Sequence, residues 1–366
     1  MTFGAVAPRA TSINEGVGAT QNRATLLNLV RASRSEPLYF LSLTALHASS
    51  AGDLKVGLPA ESFGPYRTPS QRNFSIGGGN TNVLDNSTTT SFDIGVLGSK
   101  DFYAGLLSPL GLADVDLLLH QGFSRELVFY LVIDKLKVTQ VGPDGAPTPG
   151  VDPTVIYNDP SNHANFTIFQ TYVRQAMIHG LTTESYTGER GGEGGKPPPA
   201  RVQLCYERAL ATEDGKQGLV GSPNLCGGDL VHGGPRNAAV PLFVKLPDFR
   251  TGQMGNFQIE VTTRSIFGIF NYLGAAIAHG DQASLQLHDY QLPAERSDAG
   301  PILTVVTDAS RLDRCFAAIT YEREHYCVPE DGAVNTKRIF VILNTLMALK
   351  QSPGDLPLTQ TVRIEP

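Results

Sequence analysis

No apolar run in the chain approaches the roughly 18 residues that a helical membrane span requires. Charge is sparse, at 17% of residues, and 29 basic against 35 acidic groups leave a net charge of −6 with no basic stripe, which argues against a nucleic-acid partner. Cysteines number only four and form no C-x-x-C, so zinc-ribbon and thioredoxin chemistry have little footing. G-x-S-x-G occurs nowhere, which removes the nucleophile elbow that "VHGGPRN" (residues 231–237) needs to act as an esterase oxyanion loop. "GERGGEGGKPPP" imitates a phosphate loop at Gly195 and Lys196. Arg190 stands where the loop requires glycine, Pro197 where it requires Ser or Thr, and three prolines replace the following helix. Residues 188–200 are therefore expected to be an exposed, irregular excursion.

What the chain has is length, glycine (38) and proline (24). Its 366 residues suffice for two domains or one large one with a substantial core, and the Gly and Pro content implies many turns and irregular loops. That balance suits an extracytoplasmic or assembly protein better than a helical cytosolic enzyme.

Hydrophobic spacing sets out the elements. A helix is expected over 20–35 with Leu26, Leu27, Leu29 and Val30 buried, stopped by Glu36–Pro37 and followed by a strand over 38–47. Short helices at 100–107 and 112–120 lead to the apolar run 127–141, read as a half-exposed strand. Phe166, Phe169, Tyr172, Val173, Ala176 and Met177 fall on one helical face capped by Ser161 or Asn162. Further strands are expected at 72–77, 90–97, 181–186, 202–208, 239–246, 257–262, 302–307, 315–321 and 359–364, with helices at 264–279 and 336–350. Without strict βαβ alternation, the fold class is α+β: mixed or antiparallel sheets, three to five amphipathic helices and long Gly/Pro-rich loops. The expected divisions are an extended arm over 1–18, an α+β domain over 19–142, and a second α+β domain over 151–366 containing the cysteines.

Those cysteines, Cys205, Cys226, Cys315 and Cys327, are 21, 89 and 12 residues apart in turn. Three connectivities are open, and so are four buried thiols in a reducing compartment. The local pairing Cys205–Cys226 and Cys315–Cys327 is favoured, contributing about 3 kcal/mol per bridge on the chain-entropy account. For the second pair, a turn centred near Tyr321 sets opposite each other residues whose numbers sum to 642, as 315 and 327 do. The opening "MTFGAVAPRATSINEG" has neither the basic nor the apolar region of a signal peptide. The chain is thus expected to be cytosolic or to begin after a removed export segment, and the paired cysteines favour the second.

Candidate chemistry is thin. Asp114 or Asp116 with His120 on one helix offers at most two metal ligands, and "YEREHY" sets Glu322, Glu324 and His325 at a hairpin tip. His163, His179, His232, His279 and His288 are scattered. No catalytic, cofactor or metal residue is assigned.

Four blocks carry a resemblance. "RATLLNLVRASRSEPLYFLSLT", "SKDFYAGLLSPL", "TTRSIFGIFNYLGAAI" and "RIFVILNTLMALKQSPGDLPLTQTVRIEP" occur in that order, their matching motifs spanning residues 23–363. They resemble a family of uncharacterised Gram-negative envelope lipoproteins, although the start lacks the family's lipidation cysteine. The resemblance implies a location, the periplasm or outer membrane, and no reaction. The expected function is a non-enzymatic structural or assembly component, a homo-oligomer or part of an envelope complex, resting on or tethered to the outer membrane. Its Gly/Asn/Ser/Thr-rich segment 75–91 would serve as an inter-subunit loop. The rivals are an envelope hydrolase with a dispersed His/carboxylate site and a phage or particle structural protein.

Overall fold

Twenty elements emerge from the computed structural model, which describes residues 6–49, 89–97, 99–142, 144–186, 201–218, 225–227, 242–247, 254–280, 285–290, 299–307 and 314–350. The strands expected at 72–77 and 359–364, the excursion at 188–200 and the 231–237 loop lie outside the described residues, as does nearly all of the proposed inter-subunit loop.

In chain order, α1 (Val6–Ser33) is followed by β1 (Leu41–Ser49), β2 (Thr89–Val96) and α2 (Lys100–Leu107). Then come α3 (Leu112–His120), α4 (Arg125–Val132), β3 (Ile133–Val141), β4 (Thr154–Tyr157), α5 (His163–Ile178), β5 (Leu181–Tyr186) and β6 (Arg201–Tyr206). After these lie α6 (Glu213–Gly218), β7 (Leu242–Pro247), β8 (Met254–Thr263), α7 (Ile266–Ala278), β9 (Gln286–Leu287) and β10 (Gly300–Pro301). The hairpin β11 (Cys315–Tyr321) and β12 (Glu324–Pro329) and the helix α8 (Val334–Lys350) close the described chain. Among the described residues every ladder between named strands is antiparallel, so the class is α+β, with eight α-helices rather than three to five.

The expected division near 142–151 is not where the chain separates. Two compact units form, one from Met1–Leu106 with Thr304–Pro366 and the other from Leu107–Leu303. The reason is pairing across the expected linker: β3 sits between β4 and β8, in the sheet order β4-β3-β8-β7, so strands on both sides of residue 150 share one sheet. In the first unit, α1 packs on β11 and α8, bringing early and late segments of the described chain together.

The N-terminal arm is also corrected, because helix begins at Val6. Pro8 lies in its first turn, where a missing N–H costs nothing, and no later proline interrupts it. Its C-terminal half buries Leu26, Leu27, Leu29 and Val30 as expected. Asn28 then fastens the chain beyond Pro37: its Nδ2 donates to the Tyr39 carbonyl at 2.8 Å and its Oδ1 accepts from the Tyr39 N–H at 3.1 Å. The Arg31 guanidinium lies 4.8 Å from the centre of the Tyr39 ring.

The 127–141 run is half helix. All eight residues of α4 are buried, so no polar face marks a helical period, and an all-round apolar helix reads like a buried strand. At Ile133 the backbone turns extended (φ −74°, ψ 124°), and β3 follows with buried Leu136, Val138 and Val141, its alternation interrupted by a bulge between Ile133 and Lys135. The helix ends in the interior, where its last carbonyls need donors. Arg264 and Asn158 supply them. Arg264 Nη1 donates to the Tyr130 and Leu131 carbonyls at 3.1 and 3.3 Å, and its main-chain N–H to Val132 at 2.7 Å. Asn158 Nδ2 reaches the Tyr130 and Ile133 carbonyls, both at 2.8 Å. Arg264 Nη2 in turn donates to the Asn158 carbonyl, and the guanidinium lies 3.9 Å from the centre of the Tyr272 ring.

Cys315 and Cys327 are bonded, with Cα atoms 5.6 Å apart, but the register is not the expected one. The turn falls on Glu322 and Arg323, both at positive φ (52° and 74°), so opposed numbers sum to 645 and Cys327 faces Ala318. Such two-residue turns match strand twist and ordinarily take Asn-Gly, which this sequence lacks. A bulge between Cys315 and Ala317 adds one residue and reverses the alternation. Cys315, opposite Pro329, thereby returns to the face that carries Cys327.

The tip of this hairpin is held by the end of α1. Arg34 Nη2 donates to Glu324 Oε2 at 2.7 Å and to the Tyr326 hydroxyl at 2.9 Å, Nη1 donates to Glu322, and the Tyr321 hydroxyl donates to Glu36. The Tyr326 hydroxyl, and after it the Arg34 charge, hold the Glu324 carboxyl below its usual range. A depressed carboxyl contributes stability that is complete above its unfolded value and is lost as pH falls through the folded one. Arg34→Ala is therefore expected to weaken the acid sensitivity of the protein. Melting temperatures at about pH 7 and about pH 3 should differ less in the variant than in the parent, and equal differences would contradict the clasp.

Candidate functional site

Three polar clusters of the second unit hold groups suited to chemistry, the first of them the pair foreseen on α3. Helical spacing sets Asp116 and His120 on one face, and on β5 the alternation Thr183, Ser185 puts two hydroxyls on one side. The two elements meet. Thr183 Oγ1 donates to Asp116 Oδ1 at 2.7 Å and Ser185 Oγ to Asp116 Oδ2 at 3.1 Å. Together with Ala113, Leu117 and Glu184 these residues line an open surface hollow.

The order of bonding decides what the hollow can do. In a serine relay the imidazole stands between hydroxyl and carboxylate. Here the hydroxyls go straight to the carboxylate. His120 Nδ1 lies 2.8 Å from the main-chain oxygen of Asp116 and 3.5 Å from its Oδ1, with a side chain 72% exposed. Asp116 thus ties α3 to β5. Asp114 is occupied elsewhere, accepting the Gly111 N–H at 3.0 Å at the start of α3. The foreseen Asp–His proximity is present, and the strand hydroxyls that complete it were legible only as the T-x-S alternation of "TTESYT".

A second cluster had no signal in the sequence. Glu126, in the first turn of α4 where a carboxylate suits the helix dipole, is 3% exposed. Its Oε2 accepts the His288 main-chain N–H at 2.7 Å, while Oε1 lies 2.8 Å from His288 Nδ1 and 2.9 Å from the Tyr290 hydroxyl that donates to it. Burial, then the Glu126 charge, push the Tyr290 phenol well above its ordinary pKa, and the same two causes raise Tyr130. Both phenols stay protonated, so Tyr290 is a donor. A carboxylate-held imidazole is the arrangement of a general base. Its second effect is mechanical, because one carboxylate grips both main chain and side chains of residues 288–290. Glu126→Ala strands these donors and is expected to cost about 2 kcal/mol in urea unfolding, the donors being partly wet. A change below about 0.5 kcal/mol would show that the grip is idle.

The other histidines do not converge. His179 caps α5, with Nδ1 2.7 Å from the Gln175 carbonyl, His279 follows α7, His163 opens α5, and His325 Nδ1 lies 2.9 Å from Thr320 Oγ1. His232 lies outside the described residues.

The third cluster surrounds the other bridge. Cys205 and Cys226 are bonded with Cα atoms 5.1 Å apart. Beside them Glu184 accepts the Gly227 N–H on both carboxylate oxygens, at 3.0 and 3.1 Å. All four cysteines are therefore paired in the local connectivity that the sequence favoured. Among the described residues no helix is long and apolar enough to cross a membrane. No protein-family profile, curated protein or solved structure matches the chain.

Proposed function

We propose that the protein is a non-enzymatic component of a Gram-negative cell envelope, exported to an oxidising compartment and held there in a larger assembly. The two disulfides carry this reading, since such bridges persist outside the reducing cytosol. The ordered sequence blocks over residues 23–363 support the envelope, the periplasm or the outer-membrane surface, as the place. The polar clusters support a scaffold: Asp116, Glu126 and Arg264 each direct their bonds to neighbouring segments of the chain. For assembly, the residues of α1 from Asn14 to Gly16 are exposed, and this part of the helix is offered to a neighbouring subunit or partner.

Cell fractionation followed by light scattering tests both halves. Release with the periplasm or outer membrane and a mass well above that of the 39.2 kDa chain are expected. A 39.2 kDa monomer confined to the cytosol contradicts the proposal.

A further inference from the structure

The surroundings of the Cys205–Cys226 bridge contain more than a crosslink requires. In the β5–β6 ribbon Thr182 opposes Cys205, and Glu184, two residues along β5, shares the face of Thr182. Glu184 is thereby the diagonal neighbour of Cys205, within reach of a long side chain. Cys226 is brought to the same place by the chain beyond β6: Leu225 bridges Tyr206, and the Cys226 N–H donates to the Tyr206 carbonyl at 3.1 Å. The Glu184 carboxylate and the two sulfurs lie within 4.8 Å of one another, the one such group among the described residues. Cys205 is fully buried, and Cys226 and Glu184 are half-buried.

We propose that, when this bridge is reduced, Glu184, Cys205 and Cys226 form a binding site for a thiophilic divalent metal, zinc above all. Disulfide sulfurs are poor ligands and thiolates are strong ones, so the bridge and the metal are alternative occupants of one place. A small dithiol, or a protein of that class, delivers two electrons and two protons to the S–S bond and itself becomes a disulfide. As the metal binds, both new thiols release their protons and two sulfur–metal bonds form. Tetrahedral zinc, with bonds of about 2.0–2.3 Å, holds its ligand atoms roughly 3.3–3.8 Å apart. The three side chains meet that spacing through rotation about their own bonds, since their main chains are already fixed by the ribbon and by the Tyr206 contacts.

Charge supplies the second argument. Two thiolates beside a carboxylate in a half-buried place repel one another, and a dication removes that repulsion. The Gly227 N–H, which reaches both Glu184 oxygens, still orients one of them while the other turns to the metal. Three protein ligands leave a fourth position for water. The site goes beyond the envelope reading and does not depend on it, because it follows from local geometry and is set by redox state.

The test uses the full chain, reduced under argon and freed of small thiols, with cobalt(II) as the probe. One equivalent is expected to bind with sulfur-to-cobalt charge-transfer absorption and tetrahedral visible bands, to release two protons, and to be displaced by zinc. Cys226→Ser should lose the charge-transfer bands of this site. Glu184→Gln, with an unchanged circular dichroism spectrum, should weaken binding by about tenfold or more. The oxidised chain should show no sulfur-to-cobalt bands. Absence of these bands in the reduced, folded chain overturns the proposal. So does binding that Cys226→Ser and Glu184→Gln leave unchanged, or binding by a reduced chain that has unfolded. Fractionation, which tests the envelope reading, is untouched by any of these results.

Discussion

Arg264→Ala is expected to destabilise the protein by about 4 kcal/mol, the largest effect of any single substitution considered. Two main-chain carbonyls lose their donor in a buried place: Leu131 at the end of α4, and Asn158. Each costs about 1–3 kcal/mol unpaired. The Tyr130 carbonyl keeps Asn158 Nδ2, and Val132 keeps the main-chain N–H of residue 264, which limits the damage. The Tyr272 ring loses a cation 3.9 Å from its centre, worth up to about 2 kcal/mol when desolvated. Against this, removing the guanidinium also removes its own desolvation, which holds its pKa below the usual value. The first terms outweigh the last because the cation is already compensated in place by three carbonyl hydrogen bonds, an ion pair with Asp134 at 3.6 Å and the Tyr272 ring. Arg264→Lys should recover less than about half, since an ammonium offers neither the planar fork nor the stack. Chemical denaturation of both variants reads this directly, and a loss under about 1 kcal/mol for alanine would mean that α4 ends some other way.

The next largest effect belongs to the hairpin bridge. Cys315→Ser with Cys327→Ser is expected to cost about 3 kcal/mol, as removal of a crosslink over a short loop does. The bulge at Cys315 adds a specific consequence. With the crosslink gone, nothing covalent holds the reversed alternation there. Amide exchange should quicken at the start of β11 and at Val306, whose N–H and carbonyl pair with Cys327 at 2.8 Å each. Exchange at Tyr326 should stay slower, because Arg34 clasps that end. Uniform acceleration along the hairpin would contradict this placing of the crosslink.

How much of this was legible varies with the physics of each element. The bounds of α2, α3, β5 and β11 could be read because caps, prolines or alternation mark them locally. α4 could not, since an all-buried helix has no polar face to give it a period. The 322–323 turn escaped because Glu and Arg are poor candidates for positive φ, and so the register slipped although the Cys315–Cys327 pairing held. The division into units depends on β3 pairing with β8, more than a hundred residues away, which local patterns do not contain. The Glu126–His288 contact spans 162 residues and is invisible for the same reason. By contrast, the residues of "TTRSIFGIFNYLGAAI" have local structural tasks. Arg264 closes the end of α4, Ser265 Oγ caps α7 by accepting the Gly268 N–H at 3.0 Å, and Tyr272 stacks on Arg264.

The central claim is that this is a disulfide-bonded resident of an oxidising compartment. It is tested most directly by trapping thiols in protein taken from its native cells. The sample is alkylated under denaturing conditions, with and without prior reduction, and its intact mass is measured. The account predicts no alkyl group before reduction and four after it, with peptides linking Cys205 to Cys226 and Cys315 to Cys327. Four alkyl groups without reduction would contradict it.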